Sequence, residues 1–268
     1  MDPIEHFKQE RKHILNVQES NDVLNHHSCN FLSESAKTKY SYSFDWLGRP
    51  IIQYPQDIVA LQQIIFQTNP DLIVETGVAH GGSLILSASI FALLDLKDGI
   101  LPGSKESKRK VVGIDIDIRK HNLSAIKSHF LSSYIILIEG SSIDGATIGK
   151  VKSISSNHER IQVVLDSNHT HDHVKKELEA YSPMVTPGNY CIVMDTLIEN
   201  VDINTYPDRP WGKGDNPLTA VRSFLDKDDT FVVDKNVDSS LLISVAKEGY
   251  LLKSSAGTGA RGESVVNP

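Results

Sequence analysis

The chain has 268 residues, 40% hydrophobic and 23% charged, which suits one α/β domain with extensions and excludes a wholly disordered polymer. Its 27 basic and 34 acidic residues leave a net charge of −7, which argues against a dedicated nucleic-acid binder. Cys29 and Cys191 provide no disulfide framework, no apolar run approaches the roughly 20 residues of a membrane span, and the charged opening MDPIEHFKQERKH is unlike a signal peptide, so a cytoplasmic protein is expected.

Residues 1–44 are polar and of mixed charge, with helical patches around Ile4–Leu15, and read as an N-terminal helical extension. His6, His13, His26 and His27 lack acidic or cysteine partners at ligand spacing and read as surface or packing residues. Within SFDWLGRP, Trp46, Gly48 and Pro50 mark an ordered turn before an extended Ile51–Tyr54. A helix follows from Pro55 to about Gln67, with Ile58, Leu61, Ile64 and Ile65 at helical spacing and Asn69-Pro70 as its stop.

A repeating strand–helix pattern begins at Leu72–Glu75, a short apolar run of the buried-strand kind. The helix Ser83–Leu96, a polar loop Lys97–Lys110 and the strand Val111–Asp115 follow. Next come a helix near Arg119–Phe130, the strand Ile135–Glu139 and a helix over Val151–Arg160. The strand Ile161–Asp166, the helix His171–Tyr181 and the strand Tyr190–Asp195 complete the series. Apolar runs separated by helix-length segments predict a parallel sheet covered on both faces. Gly257 onwards has little apolar content, and residues 254–268 are expected to form a flexible tail.

In such sheets, ligands sit beyond the carboxyl ends of the strands, and each of the five expected strands ends in a carboxylate. After Glu75 come Gly77, Gly81, Gly82 and Ser83, a turn through which a ligand could approach backbone and helix N-terminus. The spacing E-T-G-x-x-x-G-G-S is not the dinucleotide fingerprint G-x-G-x-x-G. A carboxylate there would repel a pyrophosphate and suit an ammonium or a hydroxyl-rich ligand. Asp115 is placed to accept hydrogen bonds from ribose hydroxyls, ahead of Asp117, which falls past the turn. Gly140, Ser141 and Ser142 fit the place of an adenine edge.

Asp166 opens D-S-N-H-T-H. The carboxylate could hold a divalent metal, and His169, three residues later, could take a proton near neutral pH. His171 and His173 enter the following helix, His173 facing solvent. Asp195 and Thr196 would complete the site from the neighbouring strand. Asn200–Pro217, holding Tyr206, Arg209 and Trp211, suits a lid with an aromatic platform for a sugar ring.

The blocks E-T-G-V-A-H-G-G-S, G-I-D-I-D, E-G-S-S-I-D, L-D-S-N-H-T-H-x-H-V and G-x-G-x-x-x-x-x-A-V-x-x-F-L run in order from about Asp45 to Lys253. Together they resemble the cephalosporin hydroxylase / rhamnosyl O-methyltransferase family. The resemblance implies a Rossmann-like class I methyltransferase fold over residues 45–253, a mostly parallel seven-stranded sheet with helices on both faces. It also implies S-adenosylmethionine as cofactor and often Mg²⁺. Glu75, Gly77, Gly81, Gly82 and Ser83 then fall in the cofactor loop, Asp115 on the ribose, and Asp166 and Asp195 on the metal. The family's Glu-Asp-Thr motif reads Met194-Asp195-Thr196 here, replacing one carboxylate with a thioether that Mg²⁺ does not favour.

The implied activity is O-methylation of a sugar, glycan or other small natural-product hydroxyl, with His169 as base and Asp166 beside it. A homo-oligomer is expected. The rival readings are a non-catalytic partner subunit that keeps the fold, and a nicotinamide oxidoreductase.

Overall fold

The computed structural model describes residues 2–202 and 207–255. Two helices lead the chain, α1 (Pro3–Glu19) and α2 (Asp22–Lys37), followed by a hairpin of β1 (Phe44–Trp46) and β2 (Arg49–Ile51). Helix α3 (Pro55–Thr68) has Pro55 in its first turn and is closed by Asn69 at φ 48°, as the Asn-Pro stop predicts. The parallel series is β3 (Leu72–Thr76), α4 (Gly82–Lys97), β4 (Lys110–Asp115), α5 (Lys120–Ser128), β5 (Ile135–Glu139), α6 (Gly145–Ser155), β6 (Ile161–Leu165), α7 (His171–Tyr181) and β7 (Tyr190–Val193). It ends with α8 (Pro217–Leu225), β8 (Phe231–Val233), α9 (Lys235–Leu241) and β9 (Tyr250–Lys253).

The main sheet has seven strands in the order β5-β4-β3-β6-β7-β9-β8. The first five named are parallel, while β9 pairs antiparallel with both β7 and β8. This is the sheet that the resemblance implies. The chain builds outward from β3 to β5, then returns to lay β6 on the other side of β3. Strand order therefore reverses between β3 and β6, and a crevice opens above their carboxyl ends.

Period-two alternation fixes the faces. Ile73 of β3 packs with Ile64, Ile65, Leu84 and Phe91 of α3 and α4. Its neighbours Leu72 and Val74 pack with Val151, Val174, Leu178 and Val221 of α6, α7 and α8. Phe91 is fully buried, so its truncation to Ala would cost about 3–5 kcal/mol. Buried Asp57 of α3 accepts from Ser244 Oγ (2.6 Å), Val245 N (3.0 Å) and Tyr250 Oη (2.8 Å), tying α3 to the last strand. Burial pushes its carboxyl up to about 6, against those three donors.

Several boundaries differ from the sequence expectation. Strand β3 runs one residue further, to Thr76, while β6 and β7 stop before Asp166 and Asp195. Helix α6 begins at Gly145 instead of Val151, because Asp144 caps it through Ala146 N (3.0 Å) and Thr147 N (3.2 Å). The helical patches expected around Ile4–Leu15 form one helix, α1, and a second helix, α2, follows it. The expected tail from Gly257, and Tyr206 of the expected lid, lie outside the described residues.

Candidate active site

The glycine turn after β3 is shaped by contact. Gly77 has φ 90°, and a Cβ there would lie 2.0 Å from the Asp166 carbonyl oxygen, so only glycine lets the ends of β3 and β6 meet. A Cβ on Gly82 would lie 2.3 Å from the Pro50 carbonyl oxygen, which presses the hairpin strap 50–54 onto the first residue of α4. Gly81 is the residue that turns the chain into α4, at φ 83°.

Two side chains that the sequence reading passed over clamp this turn. Arg49 donates to the His80 carbonyl through Nε (2.9 Å) and Nη2 (2.6 Å), and to Asn122 Oδ1 (2.9 Å). Asn122 in turn donates from Nδ2 to the Ala79 carbonyl (2.8 Å). Partners this distant in sequence leave no local pattern to find.

Glu75 is buried beneath the turn, where the Ser83 hydroxyl donates to its Oε1. Burial pushes its carboxyl up to about 7, and the Ser83 hydrogen bond opposes the rise. Asp115 Oδ2 accepts from the backbone N–H of Val78 (2.9 Å) and Ala79 (3.2 Å), and Oδ1 from Asp117 (3.1 Å). Asp115 therefore organises the turn as well as standing beside it. Asp117 donates its own N–H to that carboxylate.

Gly140 and Ser141 follow β5 directly, next to β4, where the sequence placed them. Ser142 is turned inward. Its Oγ lies 3.0 Å from His173 Nε2, and its carbonyl accepts from Tyr181 Oη (2.6 Å). His173 is thus not a solvent-facing residue. It also lies 3.5 Å from Glu177 Oε1, which accepts from Ser167 Oγ (2.6 Å), so the loops after β5 and β6 share one network.

Across the crevice, Asp166, His169 and Asp195 converge, with one donor atom from each within 4.8 Å of the others. His169 Nε2 lies 3.4 Å from Asp195 Oδ2. Asp195 stands at φ 57°, an uncommon conformation for a non-glycine residue that turns its carboxylate back to the site. Burial raises the Asp166 carboxyl well above the ordinary range, with the charges of Asp195 and Glu75 adding to it. This excess of carboxylate is what a bound cation would offset. Met194 is buried in the core, where it packs with residues such as Ile192 and Leu197 rather than offering its sulfur to the site.

The loop expected as a lid is pinned at its described end. Glu199 Oε2 accepts from Gly214 N (2.8 Å) and Asn216 Nδ2, and Asp215 Oδ1 accepts from His171 N (2.7 Å). Trp211 stands edge-on to His169 with ring centroids 5.4 Å apart, and the Arg209 guanidinium lies 5.9 Å from the Trp211 ring. The aromatic residue is therefore at the site and not on a remote surface loop.

Known proteins share this arrangement of chain. The family described as rhamnosyl O-methyltransferase/CmcI matches residues 38–254. The rhamnosyl O-methyltransferase of Mycobacterium tuberculosis is 24% identical over 199 residues, covering 74% of this chain and 73% of the relative. That of Mycobacterium leprae is 24% identical over 181 residues, covering 67% and 69%. The solved structure "CmcI-N160 apo-structure" superposes with a TM-score of 0.50 at 19% identity, covering 80% of this chain and 78% of its own. The seven-stranded sheet is that of the class I methyltransferase fold, and the chain belongs to the rhamnosyl O-methyltransferase/CmcI family.

Proposed function

We propose that this chain transfers a methyl group from S-adenosylmethionine to a hydroxyl of a sugar or other small natural-product or glycan acceptor. The observation that carries the reading is the convergence of Asp166, His169 and Asp195 beside a glycine-lined crevice at the strand-order reversal. The relatives' name, rhamnosyl O-methyltransferase, supports a sugar acceptor.

When bound, S-adenosylmethionine supplies an electrophilic sulfonium methyl, so the chain's task is mainly alignment. The turn Gly77–Ser83 with Glu75 would hold the amino-acid end. Asp115 has three donors on about four lone-pair positions, which leaves capacity for a ribose hydroxyl. Gly140 and Ser141 would meet the adenine edge, and Ser142, its hydroxyl already engaged, would contribute its backbone N–H.

The donor set also fits a divalent ion such as Mg²⁺, because two carboxylates and an imidazole converge where negative charge is in excess. Asp166 and Asp195 would hold it, and the ion would supply Lewis acidity that lowers the pKa of the acceptor hydroxyl. His169 accepts the hydroxyl proton on Nδ1, the ring nitrogen that does not face Asp195, and Asp195, 3.4 Å from Nε2, stabilises the resulting imidazolium. Trp211 offers its ring to the acceptor sugar.

Calorimetry with S-adenosylmethionine and with NAD tests the reading: the first binds and the second does not. Asp115→Ala weakens the cofactor by about 1–3 kcal/mol. An unchanged affinity would remove Asp115 from the site, and binding of NAD alone would overturn the reading. A homo-oligomer is part of the proposal, supported by the exposed apolar stripe Ile4, Phe7, Ile14 and Val17 on α1. A cytoplasmic setting is supported by the two unpaired cysteines. Among the described residues no helix is long and apolar enough to cross a membrane.

A further inference from the structure

Glu177 of α7 is 0% exposed. Its Oε1 accepts from Ser167 Oγ (2.6 Å), while Oε2 is buried without a hydrogen-bond partner. Among the described residues, the one cationic group within ion-pair distance is the His173 ring, 3.5 Å away and one helical turn earlier. A carboxylate so sparsely served in a closed place destabilises the fold and calls for a reason. The reason lies in what the histidine beside it holds. His173 Nε2 is 3.0 Å from Ser142 Oγ and 3.3 Å from Ser167 Oγ. Ser167 has already given its proton to Glu177, so towards the ring it can only accept. Nε2 therefore carries the hydrogen and donates to the two serine oxygens, with the Glu177 carboxylate favouring that form.

The spacing makes this bridge consequential. Ser142 follows β5 and Ser167 follows β6, strands separated in the sheet by β4 and β3. At about 4.8 Å per strand, their ends stand roughly 14 Å apart. Both hydroxyls nevertheless reach one ring nitrogen. His173 thus fastens together the two loops that flank the crevice on either side of β4 and β3. The helix that carries it is a fixed post, buried along one face through Val174, Glu177, Leu178 and Tyr181. Tyr181 Oη also donates to the Ser142 carbonyl (2.6 Å), which holds the first loop from beneath.

We infer that His173, seated by Glu177, is a positioning residue that sets the width of the nucleoside slot between the loops after β5 and β6. The pair acts through Ser142, beside the adenine edge, and Ser167, next to Asp166, and need not touch the cofactor. A shift in either loop is passed to the other, so the adenine end and the Asp166–His169 loop keep one spacing. This assignment rests on the proposal that the chain binds S-adenosylmethionine.

The test is calorimetry on the full chain with 5′-deoxy-5′-methylthioadenosine, a nucleoside that lacks the amino acid, and with S-adenosylhomocysteine. Ser167 stands on the β6 side, so a purely local role predicts no effect of Ser167→Ala on the nucleoside. With the bridge, Ser167→Ala should weaken both ligands by the same factor, roughly 3- to 30-fold, the range of coupling within one hydrogen-bond network. His173→Phe, which fills the space without an N–H donor, should weaken them at least as much. Adding Ser167→Ala to His173→Phe should then cost nothing more. His173→Gln, which keeps an N–H at the reach of Nε2, should recover most of the affinity, a rescue that filling space alone does not give. Cooperative melting reports that each variant is folded, and His173→Ala replaces His173→Phe in the cycle if the latter is not. Unchanged nucleoside affinity in Ser167→Ala would overturn the role of His173 and leave the cofactor reading intact. So would a loss confined to S-adenosylhomocysteine, a double variant that loses the product of the two single losses, or a wild type that binds S-adenosylhomocysteine but not the nucleoside. Failure of the wild-type chain to bind either ligand would overturn both.

Discussion

Glu75→Gln isolates the electrostatic cost of the carboxylate beneath the glycine turn. Burial moves the Glu75 carboxyl from an ordinary 4.5 to about 7 in the folded protein. Between those values the folded chain keeps a proton that the unfolded chain has released. The stability linked to Glu75 is therefore complete below about pH 4.5 and is lost as the pH rises through 7. The two values differ by roughly 2.5 units, so at 1.36 kcal/mol per unit the loss approaches about 3 kcal/mol above pH 7.

Glutamine keeps the shape and still accepts the Ser83 hydroxyl, but has no proton to lose. Urea unfolding of both proteins without cofactor, at pH 5 and pH 8, reads the effect directly. The variant should gain up to about 3 kcal/mol on wild type between the two pH values. Asp57 and Asp238, also raised by burial, contribute to the pH dependence of both proteins and cancel in the comparison. A constant difference between the two proteins at both pH values would refute the argument.

If His169 takes the acceptor proton, His169→Ala lowers turnover by about 10²–10⁴-fold while cofactor affinity in calorimetry stays near wild type; an unchanged rate would exclude the role. A chelator tests the ion separately, and a rate insensitive to it would assign proton removal to the imidazole alone. Trp211→Ala should raise the Michaelis constant for the acceptor more than for the cofactor, and equal effects would move the ring off the acceptor site. Met194→Glu places a carboxylate in the core beside Asp195, so its melting temperature should fall in metal-free buffer and partly recover with Mg²⁺. No recovery would mean that position 194 cannot reach the ion.

The parallel half of the sheet was legible because β3, β4, β6 and β7 are short, apolar and largely buried on both faces, and a continuous apolar run of strand length is a local signal. The antiparallel edge was not. Phe231–Val233 shows only three residues with one exposed, and Tyr250–Lys253 takes its place by pairing with two strands distant in sequence. Sequence also placed Asp166, His169 and Asp195 at adjoining strand ends, since strand-end position is a local property. What it could not show was how those groups are held. The grip of Arg49 on the His80 carbonyl and the αL turn at Asp195 arise from contacts between segments far apart in the chain. Histidine 173 illustrates the converse. Its place in the helix after Asp166 predicts a solvent-facing side chain, yet Ser142 and Glu177 draw it into a network.

Methyl transfer to a sugar hydroxyl at the crevice between β3 and β6, as proposed, is tested most directly by incubating the purified chain with S-adenosylmethionine and a panel of rhamnose-bearing glycosides, then analysing products by mass spectrometry. The expected products are an acceptor heavier by one methylene equivalent, formed in step with S-adenosylhomocysteine, and both are lost in His169→Ala. Tight binding of S-adenosylmethionine with no methylated product and no S-adenosylhomocysteine from any acceptor would contradict it and point to a non-catalytic partner that has kept the fold.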